Sequence, residues 1–205
     1  KLNTIIATGG ISMNPGQMGG NYIWSKAIDV QRFLNIGNSK TQVLNNIIEM
    51  QDPAGVGINM QNTGSETQVA TNTIALTTNS NIVCAGFSSL NGIAASNINT
   101  SQIDGNNIYG SPFLMNEPRE DIAGINISNS ENHSMQCNNI ANTRFGMMVV
   151  GKNLTTADAI KGNKMNNQVV GWAFRHLGDE GTFGDVGTST YENNNEFLGT
   201  GYATN

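Results

Sequence analysis

Val43-Leu44-Asn45-Asn46-Ile47-Ile48 is one copy of a phrase, apolar-x-x-Asn-x-apolar, that returns along the chain. The other copies are Val69-Ala70-Thr71-Asn72-Thr73-Ile74, Ile103-Asp104-Gly105-Asn106-Asn107-Ile108, Met135-Gln136-Cys137-Asn138-Asn139-Ile140 and Ile160-Lys161-Gly162-Asn163-Lys164-Met165. Between most copies stands a second phrase, Gly-apolar-x-apolar: Gly57-Ile58-Asn59-Met60, Gly124-Ile125-Asn126-Ile127, Gly146-Met147-Met148-Val149 and Gly171-Trp172-Ala173-Phe174. Alternation inside each phrase reads as strand, and the short spacing leaves no room for crossover helices. Self-similarity at a period of roughly 25 residues is the mark of a stacked repeat. The expectation is an all-β chain forming a single-stranded right-handed parallel β-helix (solenoid) of about five to seven coils.

Composition agrees. The chain has 205 residues, of which only 12% are charged and 6% aromatic, with 24 Gly and roughly one Asn in every six residues, far above ordinary usage. Asn and Gly both tolerate the left-handed backbone region that tight turns need. Apolar residues kept in register with those turns argue against a disordered polar tract. A net charge of −5 with scattered Lys and Arg argues against a nucleic-acid partner, which needs clustered cations. No apolar run approaches the roughly 20 residues of a membrane span, and no signal peptide is present. Residues 1–205 are read as one β-helix domain, a mature protein or a fragment of a longer chain. Residues 1–32 form an irregular first coil or cap, 111–121 a protruding loop rich in Pro and charge, and 178–205 the closing coil.

Asn46, Asn72, Asn106, Asn138 and Asn163 fall at one turn position and can stack as a ladder, each side chain bonding the next. The spacing is equally consistent with turn-forming Asn and no ladder. The third coil is ambiguous: Ile82-Val83-Cys84 reads as its first strand, and both Ile93–Ile98 and Ile103–Ile108 fit the Asn-turn phrase. Cys84 and Cys137 are too few and too far apart for a disulfide framework, and are read as buried, inert thiols. His133, in the Asn132-His133-Ser134 turn, is read as a surface residue.

The Asn-turn phrases, the Gly-apolar-x-apolar strands and the Gly-rich closing stretch Gly178–Gly187 resemble the right-handed parallel β-helix repeat proteins. Most similar are the Asn-rich secreted surface proteins of that type known largely from Bacteroidota. The resemblance spans roughly residues 33–200 and implies export to a secreted or cell-surface setting; it carries over no catalytic residue. The sequons at Asn99, Asn126, Asn132 and Asn153 are compatible with export.

Many such proteins act on polysaccharides through residues on the outer face of the first strand. If the apolar residues of the Gly phrases point inward, the outward column is Asn35, Asn59, Val83, Asn126, Met148 and Ala173. It holds no carboxylate, whereas glycoside hydrolysis ordinarily needs two. Its Asn35, Asn59 and Asn126 suit a ligand face instead. Arg175, His176, Asp179, Glu180 and Asp185 are the remaining cluster of titratable groups. There His176, Asp179, Glu180 and Asp185 are weak catalytic candidates, and the Gly-flanked carboxylates could hold calcium. No other cofactor and no metal site is expected. Two function classes follow. The first is a non-enzymatic surface module, structural or adhesive, that recognises a polysaccharide or a surface protein or self-associates by stacking. The second is a polysaccharide lyase or glycoside hydrolase with its site in the 111–121 loop or the 175–185 turn. An ice-binding face would want one regular Thr column, and the Thr positions do not align.

Overall fold

The computed structural model describes residues 3–7, 11–12, 22–23, 25–31, 41–50, 55–61, 67–77, 89–115, 122–131, 133–151, 160–175 and 194–199. Three parallel sheets account for nearly all of its strands. The first contains Ser25–Gln31, Gly55–Gln61, Leu90–Ser96, Ile122–Ser128, Phe145–Val150 and Val170–Arg175. The second contains Thr41–Leu44, Thr67–Ala70, Ser101–Asp104, Ser134–Gln136 and Ile160–Lys161. The third contains Asn3–Ala7, Asn46–Met50, Thr73–Leu76, Asn107–Gly110, Asn139–Ala141, Lys164–Asn166 and Glu196–Leu198. The chain visits the sheets in that order and then begins again, so each circuit is one coil of a right-handed parallel β-helix. A two-stranded antiparallel pair, Ile11–Ser12 with Tyr22–Ile23, stands apart from the three sheets.

The interior is a set of apolar columns. Val43, Val69, Ile103, Met135 and Ile160 come from the second sheet, and Ile48, Ile74, Ile108, Ile140 and Met165 from the third. From the first sheet come Ile58, Ile93, Ile125 and Met147, with Met60, Ala95, Ile127 and Val149 alongside. Each column places like upon like at the inter-strand spacing of about 4.8 Å. Burial of a chain-long core therefore follows from one short pattern repeated.

The Gly of the second phrase has a steric cause. In the first sheet Leu90, Ile93 and Ala95 all face the core, as do Ile122, Ile125 and Ile127. The strict alternation therefore slips by one residue at Gly92 and at Gly124. A side chain there would run into the third sheet: a Cβ on Gly92 would lie 2.6 Å from Ile108 Cγ2, and one on Gly124 2.3 Å from Ile140 Cγ2. The same conflict pairs Gly57 with Ile74 and Gly146 with Met165. The glycines leave space for the apolar residue that closes the Asn phrase, so the two repeated phrases are halves of one packing contact.

The strand pairings settle the third coil. Leu90–Ser96 pairs with both Gly55–Gln61 and Ile122–Ser128, so Gly92-Ile93-Ala94-Ala95 is a Gly phrase and Ile103–Ile108 carries the Asn turn. Residues 82–84 lie outside the described residues, and the strand position assigned to them belongs to Leu90–Ser96. Within residues 1–32, Asn3–Ala7 stands in register with Asn46–Met50, and Ser25–Gln31 with Gly55–Gln61. Of the 111–121 segment, Pro112–Met115 forms a 3-10 turn whose Leu114 is fully buried in the main core. Residues 116–121 are outside the described set.

Gly124→Ala is expected to lower stability by about 1–3 kcal/mol, because its methyl overpacks against Ile140. The same change at Gly105, which only touches Thr71 at 3.8 Å but sits at φ +62°, should cost roughly 1 kcal/mol through backbone strain alone. Urea midpoints for the two variants check the order.

Candidate functional site

The five Asn of the repeated phrase stand in one column at the corner between the second and third sheets, and Asn195 adds a sixth rung. The residue before each rung is left-handed: Asn45, Thr71, Gly105, Cys137, Gly162 and Asn194 have φ between 48° and 65°. That conformation turns the chain sharply and aims the next side chain inward. Asn72, Asn106, Asn138 and Asn163 are at most 1% exposed.

Their burial is compensated completely. Asn138 shows the pattern. Its Oδ1 accepts the backbone N–H of Asn106 at 3.1 Å and the Nδ2–H of Asn106 at 3.0 Å. Its own Nδ2 donates to Ile103 O at 2.7 Å and to Asn163 Oδ1 at 3.0 Å. Two acceptor sites and two donors are all an amide has. Asn72, Asn106 and Asn163 repeat the scheme, with Nδ2 donating to Val43 O, Val69 O and Met135 O. A second, shorter ladder joins Asn167 Nδ2 to Asn142 Oδ1 at 2.8 Å in the next turn, where both residues are again left-handed.

The outer surface divides by sheet. By register the outward column of the first sheet is Asn59, Ala94, Asn126, Met148 and Ala173, with Asp29 at the register position before Asn59. Asp29 and Ala94 thus hold the places expected for Asn35 and Val83, both of which lie outside the described residues. Asn59 and Met148 are buried, at 4% and 5% exposure, and Asn126 is half-buried. Ala123, Phe145 and Met148 form a small apolar cluster on this side, with the Arg144 and Arg175 guanidinium carbons 5.9 and 5.2 Å from the Phe145 ring centre. This column is therefore closed at several points rather than an open ligand face.

The other two sheets present polar side chains to solvent. On the second, Gln42 Nε2 donates to Gln68 Oε1 at 3.1 Å, with Gln102 next in the column. On the third, Asn139 Nδ2 donates to Asn107 Oδ1 at 2.9 Å, and Tyr109 between Ala75 and Ala141 is 40% exposed. Lys164 and Glu196 continue the Asn107 column as an exposed ion pair at 3.2 Å.

Two residues differ from the sequence reading. His133 is buried at 1% exposure, not on the surface. It precedes Ser134, which pairs with Gln102, so it follows Thr67 and Ser101 in an inward column of the second sheet. Parity with inward Met135 was the signal that could have found it. Among the described residues neither ring nitrogen has a hydrogen-bond partner, and burial holds its pKa at about 4, against an ordinary 6.5. Cys137 is exposed rather than buried, because it occupies the left-handed turn position and only its neighbour Asn138 turns inward. Cys84 lies outside the described residues.

Asp104, on the outer face of the second sheet, has its pKa raised by desolvation, against which the Gln136 N–H bond to its Oδ1 acts. His176, Asp179, Glu180 and Asp185 are outside the described residues, so no geometry attaches to them. Among the described residues no group of three or more His, Cys, Asp or Glu could hold a metal ion, and no helix is long and apolar enough to cross a membrane.

Against protein-family models, curated proteins and solved structures the chain finds no match. Its class, a right-handed parallel β-helix, rests on its own strand pairings.

Asn138→Leu is expected to cost about 3–5 kcal/mol. It strands two donors of Asn106 and the carbonyl of Ile103 in a dry corner, at roughly 1–3 kcal/mol each before relaxation. Chemical denaturation of the variant checks the figure.

His133 gives a pH dependence. Its folded pKa lies below its unfolded one, so between about pH 6.5 and 4 the unfolded chain takes up a proton that the folded chain refuses. Stability is then full above pH 6.5 and declines as pH falls through this window, by about 3 kcal/mol in all. His133→Leu should flatten that part of the profile, read as thermal midpoint against pH.

Proposed function

We propose that this chain is a non-enzymatic module of a secreted or cell-surface protein, structural or adhesive in role. The ladder-held stack serves as a rigid support, and the outer faces of the second and third sheets meet a glycan. The observation that carries the reading is the set of neutral amides on these faces, Gln42 with Gln68 on the second sheet and Asn107 with Asn139 on the third, where the exposed ring of Tyr109 shares the outer face with Asn107. Amides both donate and accept, as sugar hydroxyls do, and an aromatic ring covers the apolar C–H face of a pyranose. The side chains of each pair are already oriented by bonding one another, which lowers the entropic cost of engaging a ligand. Similarity to Asn-rich secreted β-helix proteins supports the exported setting.

The test is retention on a panel of neutral and acidic polysaccharides, with reducing-end and unsaturated-product assays on the same samples. Retention without cleavage is the expected result, and Tyr109→Ala should weaken it by up to about tenfold while leaving the thermal midpoint in place. Polysaccharide cleavage by the wild type would replace this reading with the lyase or hydrolase one.

A further inference from the structure

The outer face of the third sheet carries two columns of side chains. One runs through Thr73, Asn107, Asn139 and Lys164, the other through Ala75, Tyr109, Ala141 and Asn166. Side chains of a strand stand roughly perpendicular to the sheet, and successive strands lie about 4.8 Å apart. Tyr109 and Asn166 are therefore separated by two such spacings, about 10 Å, with only the methyl of Ala141 between them. A ring held in van der Waals contact on both sides needs about 7–8 Å. One spacing is too narrow for that, and there Asn107 and Asn139 bond one another across the gap. Two spacings suffice. The two sides of Tyr109 differ: upstream, Ala75 is only 7% exposed, whereas downstream Ala141 is half-buried and Asn139 and Asn166 are exposed, as Tyr109 itself is. The slot over Ala141 is thus open to solvent, with an aromatic wall, an amide wall and an amide beside its floor.

The lining is uncharged and its bonding capacity is largely unused. Asn139 gives one Nδ2–H to Asn107 Oδ1, which leaves its second Nδ2–H and its Oδ1. Among the described residues the Asn166 side-chain amide has no hydrogen-bond partner. Lys164, the cation that follows Asn139 in register, is held by Glu196 at 3.2 Å. We infer that this slot is a subsite for one neutral hexopyranose unit, its C–H face on the Tyr109 ring and its hydroxyls bonded by Asn139 and Asn166 over the floor of Ala141. The inference rests on the glycan-binding reading above and narrows it to one place and to uncharged sugars. A uronate in the slot would have to take Lys164 from Glu196, and an acidic polysaccharide would meet the field of a chain whose net charge is −5.

Titration calorimetry with linear hexaoses of glucose, mannose and galactose, and with hexagalacturonate, tests it. At least one neutral hexaose should bind, and more tightly than hexagalacturonate. Ala141→Leu, which fills the slot from an outward strand position, should weaken that binding by about tenfold, and Asn166→Ala by several-fold, each with an unchanged thermal midpoint. Asn166→Ala keeps the test decisive if Ala141→Leu disturbs the fold. Binding that survives both variants, or that is strongest for hexagalacturonate, would overturn the slot and leave glycan binding elsewhere on the outer faces in place. If no neutral hexaose binds, the slot is overturned as well; the wider glycan reading falls with it only where the polysaccharide panel also shows no retention.

Discussion

A buried amide must have every hydrogen bond met, and in this chain that requirement falls on a column of Asn placed at a dry corner of the coil. Each rung can be satisfied only by the rung before it and the rung after it. The bonding has a direction: the Oδ1 reaches back for two donors, while one Nδ2–H goes back to a carbonyl and the other goes forward. Coils can therefore stack only in parallel and only in one register, since a slip of one residue would leave each corner with orphaned groups costing about 1–3 kcal/mol apiece. The hydrophobic columns act in the same sense, since a one-residue slip would turn a strand's apolar set to the outer face.

The glycine column answers a second constraint on the opposite wall. The apolar residue two positions after each ladder Asn projects across the interior, and the wall facing it must have no side chain there. Gly57 with Ile74, Gly92 with Ile108 and Gly124 with Ile140 meet this need with the same partner type. Toward the downstream end the partner enlarges, to Met165 opposite Gly146 and Phe197 opposite Gly171. The contact there becomes aromatic, with Trp172 packing edge-on against Phe174 and Phe197, which are 53% and 45% exposed.

These two constraints explain how much could be read from sequence. The fold was legible because both act at every coil and so leave a periodic trace: Asn after two variable residues, Gly before an apolar pair. Where the trace is diluted the reading failed. Gly92-Ile93-Ala94-Ala95 was obscured because Ala is weakly apolar and the following Asn97, left-handed at φ 50°, looks like a ladder turn. Asn195 was obscured by its neighbours Asn193 and Asn194. His133 was misplaced because a polar residue in a turn-like triplet suggests solvent, whereas strand parity puts it on the side of Met135. Cys137 was misplaced because a thiol suggests a core, whereas the ladder demands a left-handed residue there and only the next side chain enters the corner.

The candidate functional surface was less legible for a related reason. Inward and turn positions are fixed by packing, so they repeat; outward positions answer to whatever the surface meets, and no internal requirement makes them periodic. The expected ligand face on the first sheet was chosen by alternation alone, but alternation says only which side of a strand a residue faces and not whether that side is open. Asn59 and Met148 are outward by parity and buried in fact. The second and third sheets, whose strands are shorter, keep Gln42, Gln102, Asn107, Asn139 and Tyr109 in solvent. The same residue type thus plays opposite parts on the two sides of one turn: Asn138, turned inward, is saturated by its own column, while Asn139, one position on and turned outward, has bonding capacity beyond its contact with Asn107. A single step in sequence separates the amide that holds the coils together from the amide that can meet a partner.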